Sequence, residues 1–466
     1  MIFSSIPFMY YFLPIVLLLY FIVPKKLRNL VLLLASLFFY AWGELRLSVL
    51  MVATITLGYV SGLLVEKTAG KWLSKFFLIL STVISLGVLG YFKYANFFLE
   101  SISSLTGTEA IVLKVSLPIG ISFYTFQVIS YVIDVYRGHV KAQRNFIDMA
   151  AYIAMFPQLI AGPIVRYSDI EGQLKDRPIT SEKLALGARR FVVGLGKKVL
   201  IANTLGALIK EFNATDEKTV LFYWLYAIAC TLQIYFDFSG YSDMAIGLGK
   251  ILGFDFPENF NYPYVSTSIT EFWRRWHMSL GTWFRDYVYI PMGGNRVKKL
   301  RWFFNILVVW ALTGLWHGAA WNFVAWGLFM AFFLILEKLF LLKPLQKSKV
   351  LSHFYTMILV IISFVIFDSA TMGQAFEVLK SMFGFGGLSF ANSETLYFLR
   401  SYAIIFIVGI IFSMPFVRNF FAKAEKKEKA GKVLAVLETI FLAFMILLVT
   451  AYLIDGSFNP FLYFRF

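Results

Sequence analysis

The chain has 466 residues, of which 59% are hydrophobic, 19% aromatic and only 15% charged. Soluble globular proteins carry about 25% charged residues, and a soluble fold of this size would have too much surface to cover with so few. The composition therefore excludes an ordinary soluble multidomain protein. It predicts an all-α, polytopic integral membrane protein, because helices of about 20 apolar residues cross a bilayer.

The charge is unbalanced, since 43 Lys and Arg against 27 Asp and Glu give a formal net charge of +16. The basic residues fall mainly in short loops between apolar runs, where they act as orientation signals rather than as a nucleic-acid-binding surface. We therefore expect no nucleic-acid partner. The single cysteine, Cys230, excludes a disulfide within the chain.

Twelve apolar runs follow one another along the chain and are predicted helices: 6–23, 30–42, 47–65, 76–91, 115–136, 191–209, 220–236, 303–316, 320–336, 354–367, 396–416 and 433–453. A thirteenth stretch, 149–164, is interrupted by Pro157, Gly162 and Pro163. Proline removes a backbone donor and kinks a helix, and such backbone survives at membrane depth only where protein or water satisfies it. The pattern predicts roughly 11–13 spans together with a re-entrant or broken segment.

The basic loops set the predicted orientation of the chain. They are 24–28, 67–75, 137–144, 166–198 and 418–432. With the N-terminus outside, all five loops face the cytoplasm, as the positive-inside rule requires. We therefore predict a multi-pass protein of the cell (inner, cytoplasmic) membrane, in contact with membrane lipid.

His317 is a candidate functional residue because it is an isolated ionisable group. No Lys, Arg, Asp or Glu lies between Arg301 and Glu337, and a polar group inside so long an apolar stretch is a functional-site hypothesis by default. Imidazole can accept a proton near neutral pH. Gly314 and Gly318 flank it and would allow another segment to approach closely. The alternative is a core histidine that hydrogen-bonds a neighbouring helix.

His277 lies in a predicted amphipathic helix over 271–287. At 100° per residue the apolar side chains share one stripe; they are Trp273, Trp276, Leu280, Trp283, Phe284 and Tyr287. Arg274, Arg275 and Arg285 fall on the opposite side, where they would meet anionic lipid or the phosphates of an acyl donor. The pattern predicts an interfacial helix with its apolar face in the acyl boundary, and His277 belongs either to a site or to this anchor.

Asp237 is a further candidate, because it lies in the otherwise apolar region before 249 and should have a partner or line a wet cavity. Asp243 is explained by a helix cap from Ser239 or Ser242. The chain has no CxxC, HExxH or HxxxH spacing and no P-loop, so neither a metal site nor ATP-driven transport is predicted.

Seven stretches in shared order resemble the membrane-bound O-acyltransferase family and, within it, the alginate-type branch. They include LPIGISFYTF at 117–126, FPQLIAGP at 156–163 and GLWHG at 314–318, with 131–138, 235–249, 269–287 and 293–296. Because the resemblance covers almost the full length, we predict one domain over 1–466. It divides into N-terminal spans (1–136), a catalytic core with the broken segment and the interfacial helix (137–345), and C-terminal spans (346–466).

The resemblance implies an O-acyltransferase that takes an acetyl group from a cytoplasmic donor, acetyl-CoA, without a tightly bound cofactor, and passes it across the membrane. A separate soluble or anchored extracytoplasmic acetyltransferase would place it on a polysaccharide such as alginate, so the chain would meet the polymer only indirectly. His317 matches the family's histidine and His277 its second polar position, in a ring of tilted helices around a central funnel. Asp237 or Asn322 would orient the imidazole or line the tunnel.

Three other functions stay open at this point. They are transfer of D-alanine from a carrier protein to teichoic acid, flipping of a lipid-linked sugar for polysaccharide export, and a non-catalytic scaffold. The absence of internal repeats and the few intramembrane charges disfavour a flippase. A scaffold would tolerate replacement of His317.

Overall fold

The computed structural model describes residues 1–109, 112–456 and 461, and in this part of the chain it is helical, with no strand. The first helices are α1 (Leu13–Ile22), α2 (Arg28–Glu44), α3 (Ser48–Lys67), α4 (Trp72–Leu89), α5 (Ala95–Thr106), α6 (Ile121–Tyr136), α7 (Phe146–Ala154), α8 (Phe156–Leu159), α9 (Tyr167–Lys175), α10 (Ser181–Gly196) and α11 (Asn203–Ala214). They are followed by α12 (Val220–Ile251), α13 (Ile269–Arg275), α14 (Met278–Phe284), α15 (Lys299–His317), α16 (Trp321–Leu336), α17 (Leu342–Leu345), α18 (Lys349–Asp368), α19 (Met372–Met382), α20 (Ser393–Ser413), α21 (Phe416–Glu425) and α22 (Glu428–Asp455). Short π segments lie at Pro7–Phe12, Gly90–Tyr94, Lys197–Ala202, Arg285–Tyr289 and Glu337–Leu341.

Eight helical stretches are long and apolar enough to cross a membrane: Ser48–Lys67, Trp72–Thr106, Ser181–Ala214, Val220–Ile251, Trp321–Leu345, Lys349–Asp368, Ser393–Ser413 and Gly431–Asp455. Helices satisfy their own backbone in lipid, and the predicted all-α polytopic fold is confirmed. The other four predicted runs fall on Pro7–Ile22, α2, α6 and α15, which are shorter or carry more polar residues. Length and composition therefore support eight spans in the described residues, where the sequence analysis counted those four as well.

The chain forms two compact units. One comprises residues 1–191 and 242–257, and the other comprises 192–241 and 258–466. The first unit contains the predicted broken segment, and the second contains both candidate histidines.

The broken segment of the first unit is confirmed. α7 ends at Ala154, and after Met155 the short helix α8 begins with Pro157 in its first turn. Protein groups satisfy the interrupted backbone: the amide of Phe156 donates to Ser36 Oγ at 3.0 Å, and Gln158 Nε2 donates to a main-chain carbonyl at 2.6 Å. These bonds replace the helical ones that the break removes.

Arg177, in the basic cluster at 166–198, lies in the predicted loop, between α9 and α10, but its side chain is buried. Its guanidinium is buried in the first unit and donates to Tyr20 Oη at 2.9 Å and to Asn29 Oδ1 at 2.8 Å. It also lies over the ring of Phe254, 4.3 Å from the centroid. A planar group with five donors suits such a site, so this arginine holds the unit together.

In the second unit, α15 and α16 pack backbone to backbone. A Cβ atom added at Gly314 would lie 2.2 Å from the carbonyl oxygen of Phe323, and one at Gly327 would lie 2.2 Å from the carbonyl oxygen of Trp310. Only glycine allows such an approach. The expected role of Gly314 is therefore confirmed, and the contact fixes the end of α15, where His317 lies.

Candidate active site

His317 is the last residue of α15, and Gly318 ends the helix in an extended conformation. The imidazole is 5% exposed. Its ring centroid lies 5.0 Å from that of Trp316, 5.2 Å from that of Trp326 and 5.3 Å from that of Phe367. The helix end thus presents the histidine in a pocket with aromatic walls.

His277 does not lie on a continuous helix, which corrects the prediction for 271–287. α13 ends at Arg275 and α14 begins at Met278, and between them His277 has a φ of 44° and a ψ of 52°. This left-handed conformation is uncommon outside glycine. It turns the chain sharply, so an apolar stripe calculated at 100° per residue does not continue through it.

The predicted interfacial anchor is also wrong, because its apolar face packs against protein. Trp276 is 4% exposed, and its ring centroid lies 5.0 Å from that of Phe260 and 5.1 Å from that of Phe364. Trp283 and Phe284 are buried as well. The periodicity correctly indicated burial on one side but could not distinguish a lipid surface from a protein core.

The structure brings the two histidines together. Their ring centroids are 6.3 Å apart, and His277 is 2% exposed. Phe238 packs edge-on against the His277 ring at 4.7 Å, and Trp316 lies 5.7 Å from it. Two buried imidazoles at this separation can share one proton but resist holding two, because like charges repel strongly in a low dielectric.

The side chain of Asn259 holds His277 on its other side. Asn259 Oδ1 lies 3.0 Å from His277 Nδ1 and accepts from Ser279 Oγ at 2.9 Å. His277 Nε2 is buried and has no hydrogen-bond partner among the described residues. Burial lowers the pKa of His277 well below its ordinary value, and the charge of protonated His317 lowers it further. His277, which lies outside the eight candidate spans, is thus a neutral imidazole with one open nitrogen.

The structure gives Asp237 and Asn322 partners other than those expected for orienting the imidazole. Asp237 forms an ion pair with Lys198, and both side chains are buried. Asn322 Nδ2 donates to the carbonyl oxygens of Phe367 and Ser369, at 3.4 Å and 2.8 Å. Asn322 is thus bonded to the end of α18 that carries the Phe367 ring.

The structure corrects the predicted position of Lys198, which the basic cluster at 166–198 assigns to a loop. It lies in the π segment Lys197–Ala202, within a candidate span, and not in a loop. A Cβ at Gly240 would lie 2.7 Å from the carbonyl oxygen of Gly194, so the two helices approach closely. This close approach of α10 and α12 brings Asp237 beside Lys198, and a buried charge needs a partner of opposite charge.

Two of the three candidate arginines are already paired with carboxylates. Arg275 Nη2 lies 2.9 Å from Glu271 Oε1, and Arg285 Nε lies 2.7 Å from Asp286 Oδ1. The side chain of Arg274 is exposed. Arg274 and Arg275 lie on α13, and Arg285 lies in the π segment that follows α14.

Two residues at the site escaped the sequence analysis. Asn259 lies between two quoted stretches, and an uncharged amide in a turn-rich segment gives no distinctive signal. Glu337 follows an apolar run, and the sequence alone marks it only as the charge that ends this run. Its carboxylate is fully buried and accepts hydrogen bonds from the backbone amides of Ile269 and Thr270 at 2.6 Å and 2.8 Å. Glu337 therefore caps α13, the helix that leads to His277.

Comparison with known proteins gives the family. The model of MBOAT, the membrane-bound O-acyltransferase family, matches residues 137–383, more than half of the chain, and this range contains both histidines. The chain belongs to the membrane-bound O-acyltransferase family. It is therefore an O-acyltransferase, as the resemblance implied.

Three curated relatives in this family match most of the chain. It is 43% identical over 436 residues to the “Probable alginate O-acetylase AlgI” of Azotobacter vinelandii, covering 91% of this chain and 86% of the relative. It is 46% identical over 397 residues to the protein of the same name from Pseudomonas aeruginosa, covering 83% and 75%. The “Peptidoglycan O-acetyltransferase” of Helicobacter pylori is 34% identical over 429 residues, covering 84% and 81%.

Proposed function

We propose that this O-acyltransferase takes acetyl groups from acetyl-CoA in the cytoplasm and passes them across the cytoplasmic membrane for O-acetylation of an extracytoplasmic polysaccharide such as alginate. The relatives, named as an alginate O-acetylase and a peptidoglycan O-acetyltransferase, support acetyl as the acyl group and glycans as the final acceptors. The single structural observation that carries the proposal is the buried pair of His277 and His317, 6.3 Å apart.

His317 acts as the general base in the proposed reaction. A hydroxyl is a poor nucleophile until a base within about 3 Å takes its proton. The hydroxyl oxygen forms a bond to the thioester carbonyl carbon, and the bond from that carbon to sulfur breaks. The hydroxyl proton passes to His317 and then to the leaving thiolate, which leaves the imidazole neutral. The aromatic walls limit hydrolysis of the thioester, because they keep water from the reacting atoms.

The arrangement of charge supports a cytoplasmic donor. In the arrangement we propose, Pro7–Ile22, α2, α6 and α15 cross the membrane together with the eight longer stretches and the N-terminus is outside, so that the basic loops face the cytoplasm. Arg274 is the exposed arginine on α13 that would meet the phosphates of the donor or of lipid. Acetyl-CoA acts as a substrate and no tightly bound cofactor is required. We propose that a separate soluble or anchored extracytoplasmic acetyltransferase completes delivery to the polymer.

The experiment is replacement of His317 in a strain that makes the acetylated polymer. His317→Ala should leave expression and membrane insertion intact and remove acetyl from the purified polymer, measured by NMR. His277→Ala should reduce acetylation less. The matched control is His139→Ala, because the side chain of His139 is 60% exposed.

Two results would contradict the proposal. Unchanged acetyl content in His317→Ala would exclude a catalytic role and favour a scaffold. Loss of D-alanyl esters instead of acetyl esters would identify the acyl group as D-alanine.

A further inference from the structure

We infer that Asn259 is a positioning residue that holds His277 as the tautomer protonated at Nδ1, so that Nε2 accepts a hydrogen bond from the bound substrate and cannot donate one. The inference rests on the proposed function for its chemistry, but the tautomer itself follows from hydrogen-bond geometry. It distinguishes two roles that a second histidine could have: accepting a hydrogen bond from a hydroxyl, or donating a hydrogen bond to the oxyanion.

The neighbours of the Asn259 amide identify the atom that faces His277. The backbone N–H of Ser279 lies 3.3 Å from Asn259 Oδ1, and the Ser279 hydroxyl lies 2.9 Å from the same atom. A backbone N–H can only donate. The atom it faces must therefore be the amide oxygen, since an NH₂ group there would oppose a second donor.

The identity of this atom also fixes which ring nitrogen of His277 carries the proton. Because the facing atom is an oxygen without a hydrogen, the 3.0 Å contact with His277 Nδ1 is a hydrogen bond only if Nδ1 carries the proton. A neutral imidazole with its proton on Nδ1 has a lone pair on Nε2. His277 can then accept at Nε2 but cannot donate there.

Asn259 also holds the backbone of the turn at His277. The backbone amide of Met278 donates to the carbonyl oxygen of Asn259 at 2.9 Å. His277 itself has a left-handed backbone conformation, which costs about 1–2 kcal/mol for a residue with a side chain. Asn259 thus binds the His277 ring through its side chain, and the residues directly after His277 through both its main chain and its side chain.

His277 Nε2 is buried without a hydrogen-bond partner among the described residues, and buried polar atoms in native proteins rarely lack one. Its ring lies 6.3 Å from that of His317. A substrate hydroxyl between the two rings would supply the missing donor: its single hydrogen points to His277 Nε2 when the substrate binds, and the hydroxyl then turns so that His317 removes the proton.

The direct test is the tautomer itself, read by ¹⁵N NMR of the full chain labelled at histidine. The chain has 4 histidines, so His277→Gln assigns the signal by its loss. The wild type should show Nδ1–H and a bare Nε2 for His277, and Asn259→Ala should move the proton to Nε2. A wild-type spectrum with Nε2–H would overturn the inference, whether or not the protein transfers acetyl.

The functional test is the pH profile of acetyl transfer from labelled acetyl-CoA in membrane vesicles. Asn259→Asp keeps an oxygen acceptor but adds a negative charge beside Nδ1, which stabilises the imidazolium. Its acid limb should move to higher pH by about one unit or more. Asn259→Ala should lower kcat about tenfold or more with an unchanged KM for the donor, while the control His139→Ala, whose side chain is 60% exposed, should keep the wild-type profile.

The outcomes separate this inference from the proposed function. If His317→Ala abolishes transfer while Asn259→Asp keeps the wild-type acid limb, Asn259 is merely structural and the proposed function stands. If His317→Ala still transfers acetyl at the wild-type rate, the proposed function fails, and the NMR result for Asn259 still decides the tautomer.

Discussion

The close approach of α15 and α16 makes Gly314→Ala a quantitative test of how precisely His317 must be placed. The new Cβ would lie 2.2 Å from the carbonyl oxygen of Phe323, whereas ordinary contacts begin at 3.4 Å. The carbonyl belongs to the backbone and cannot rotate away, so the two helices must separate by about 1 Å. This change occurs three residues before His317.

Two effects of the alanine have opposite signs. Alanine favours a helix over glycine by about 1 kcal/mol, but overpacking a tight contact costs about 1–3 kcal/mol. We expect overpacking to win, with a lower thermal unfolding temperature. A displacement of about 1 Å at a catalytic group can cost about a hundredfold in rate, so acetyl transfer should fall by about that factor even in the folded fraction.

The assay measures acetyl transfer per folded protein in membrane vesicles, with unfolding followed in detergent. Gly87→Ala is the matched control, since Gly87 lies within α4 and an added Cβ there meets nothing within 4 Å. It should retain activity and stability. Wild-type transfer by Gly314→Ala would refute the argument that this contact sets the position of His317.

Three further predictions concern buried ionisable groups of the second unit. Lys198→Met should cost about 3–5 kcal/mol of stability because it leaves Asp237 buried without its partner, and adding Asp237→Leu should restore most of the loss. Glu337→Gln should lower the unfolding temperature, at a cost of about 1–3 kcal/mol, because its NH₂ group faces an amide that now donates to the carboxylate. Burial lowers the pKa of folded His277, so the unfolded chain binds more protons than the folded chain below about pH 6.5. The stability that is present above that pH should therefore be lost on acidification, by up to about 1.4 kcal/mol per pH unit. The variant His277→Gln should remove this dependence of stability on pH.

Each of these has a result that would contradict it in thermal unfolding experiments. The pair is not the cause if the double variant is as unstable as Lys198→Met alone. An unfolding temperature unchanged in Glu337→Gln would mean that the carboxylate is not needed to cap α13. An acid slope that persists in His277→Gln would belong to other groups.

The sequence was sufficient for the helical class and for the choice of His317 as a candidate residue. Each of the twelve predicted apolar runs contains a helix, because hydrophobicity and length decide whether a segment can satisfy its backbone in lipid. Residues 115–120 of the fifth run precede α6 and are not helical. The prolines at 157 and 163 correctly indicated a break, because a missing donor is a local property of the residue. His317 could be found because a lone polar group in an apolar stretch is conspicuous.

What failed depended on partners distant in sequence. The sequence does not show that the side chains of Lys198 and Arg177 are buried, because their partners Asp237 and Asn29 are distant in sequence. The left-handed turn at His277 has no sequence signal, since histidine is neither glycine nor a turn former, and Asn259, which holds it, lies 18 residues away. Local periodicity cannot contain such long-range contacts.

The most direct test of the central claim, that His317 removes the hydroxyl proton, is the single-turnover rate of acetyl transfer by His317→Asn in membrane vesicles. Asparagine keeps a polar side chain of similar size at the end of α15 but cannot accept a proton. The account predicts a fall of about 10²–10⁴-fold in this rate with unchanged binding of acetyl-CoA. Transfer at the wild-type rate would contradict it.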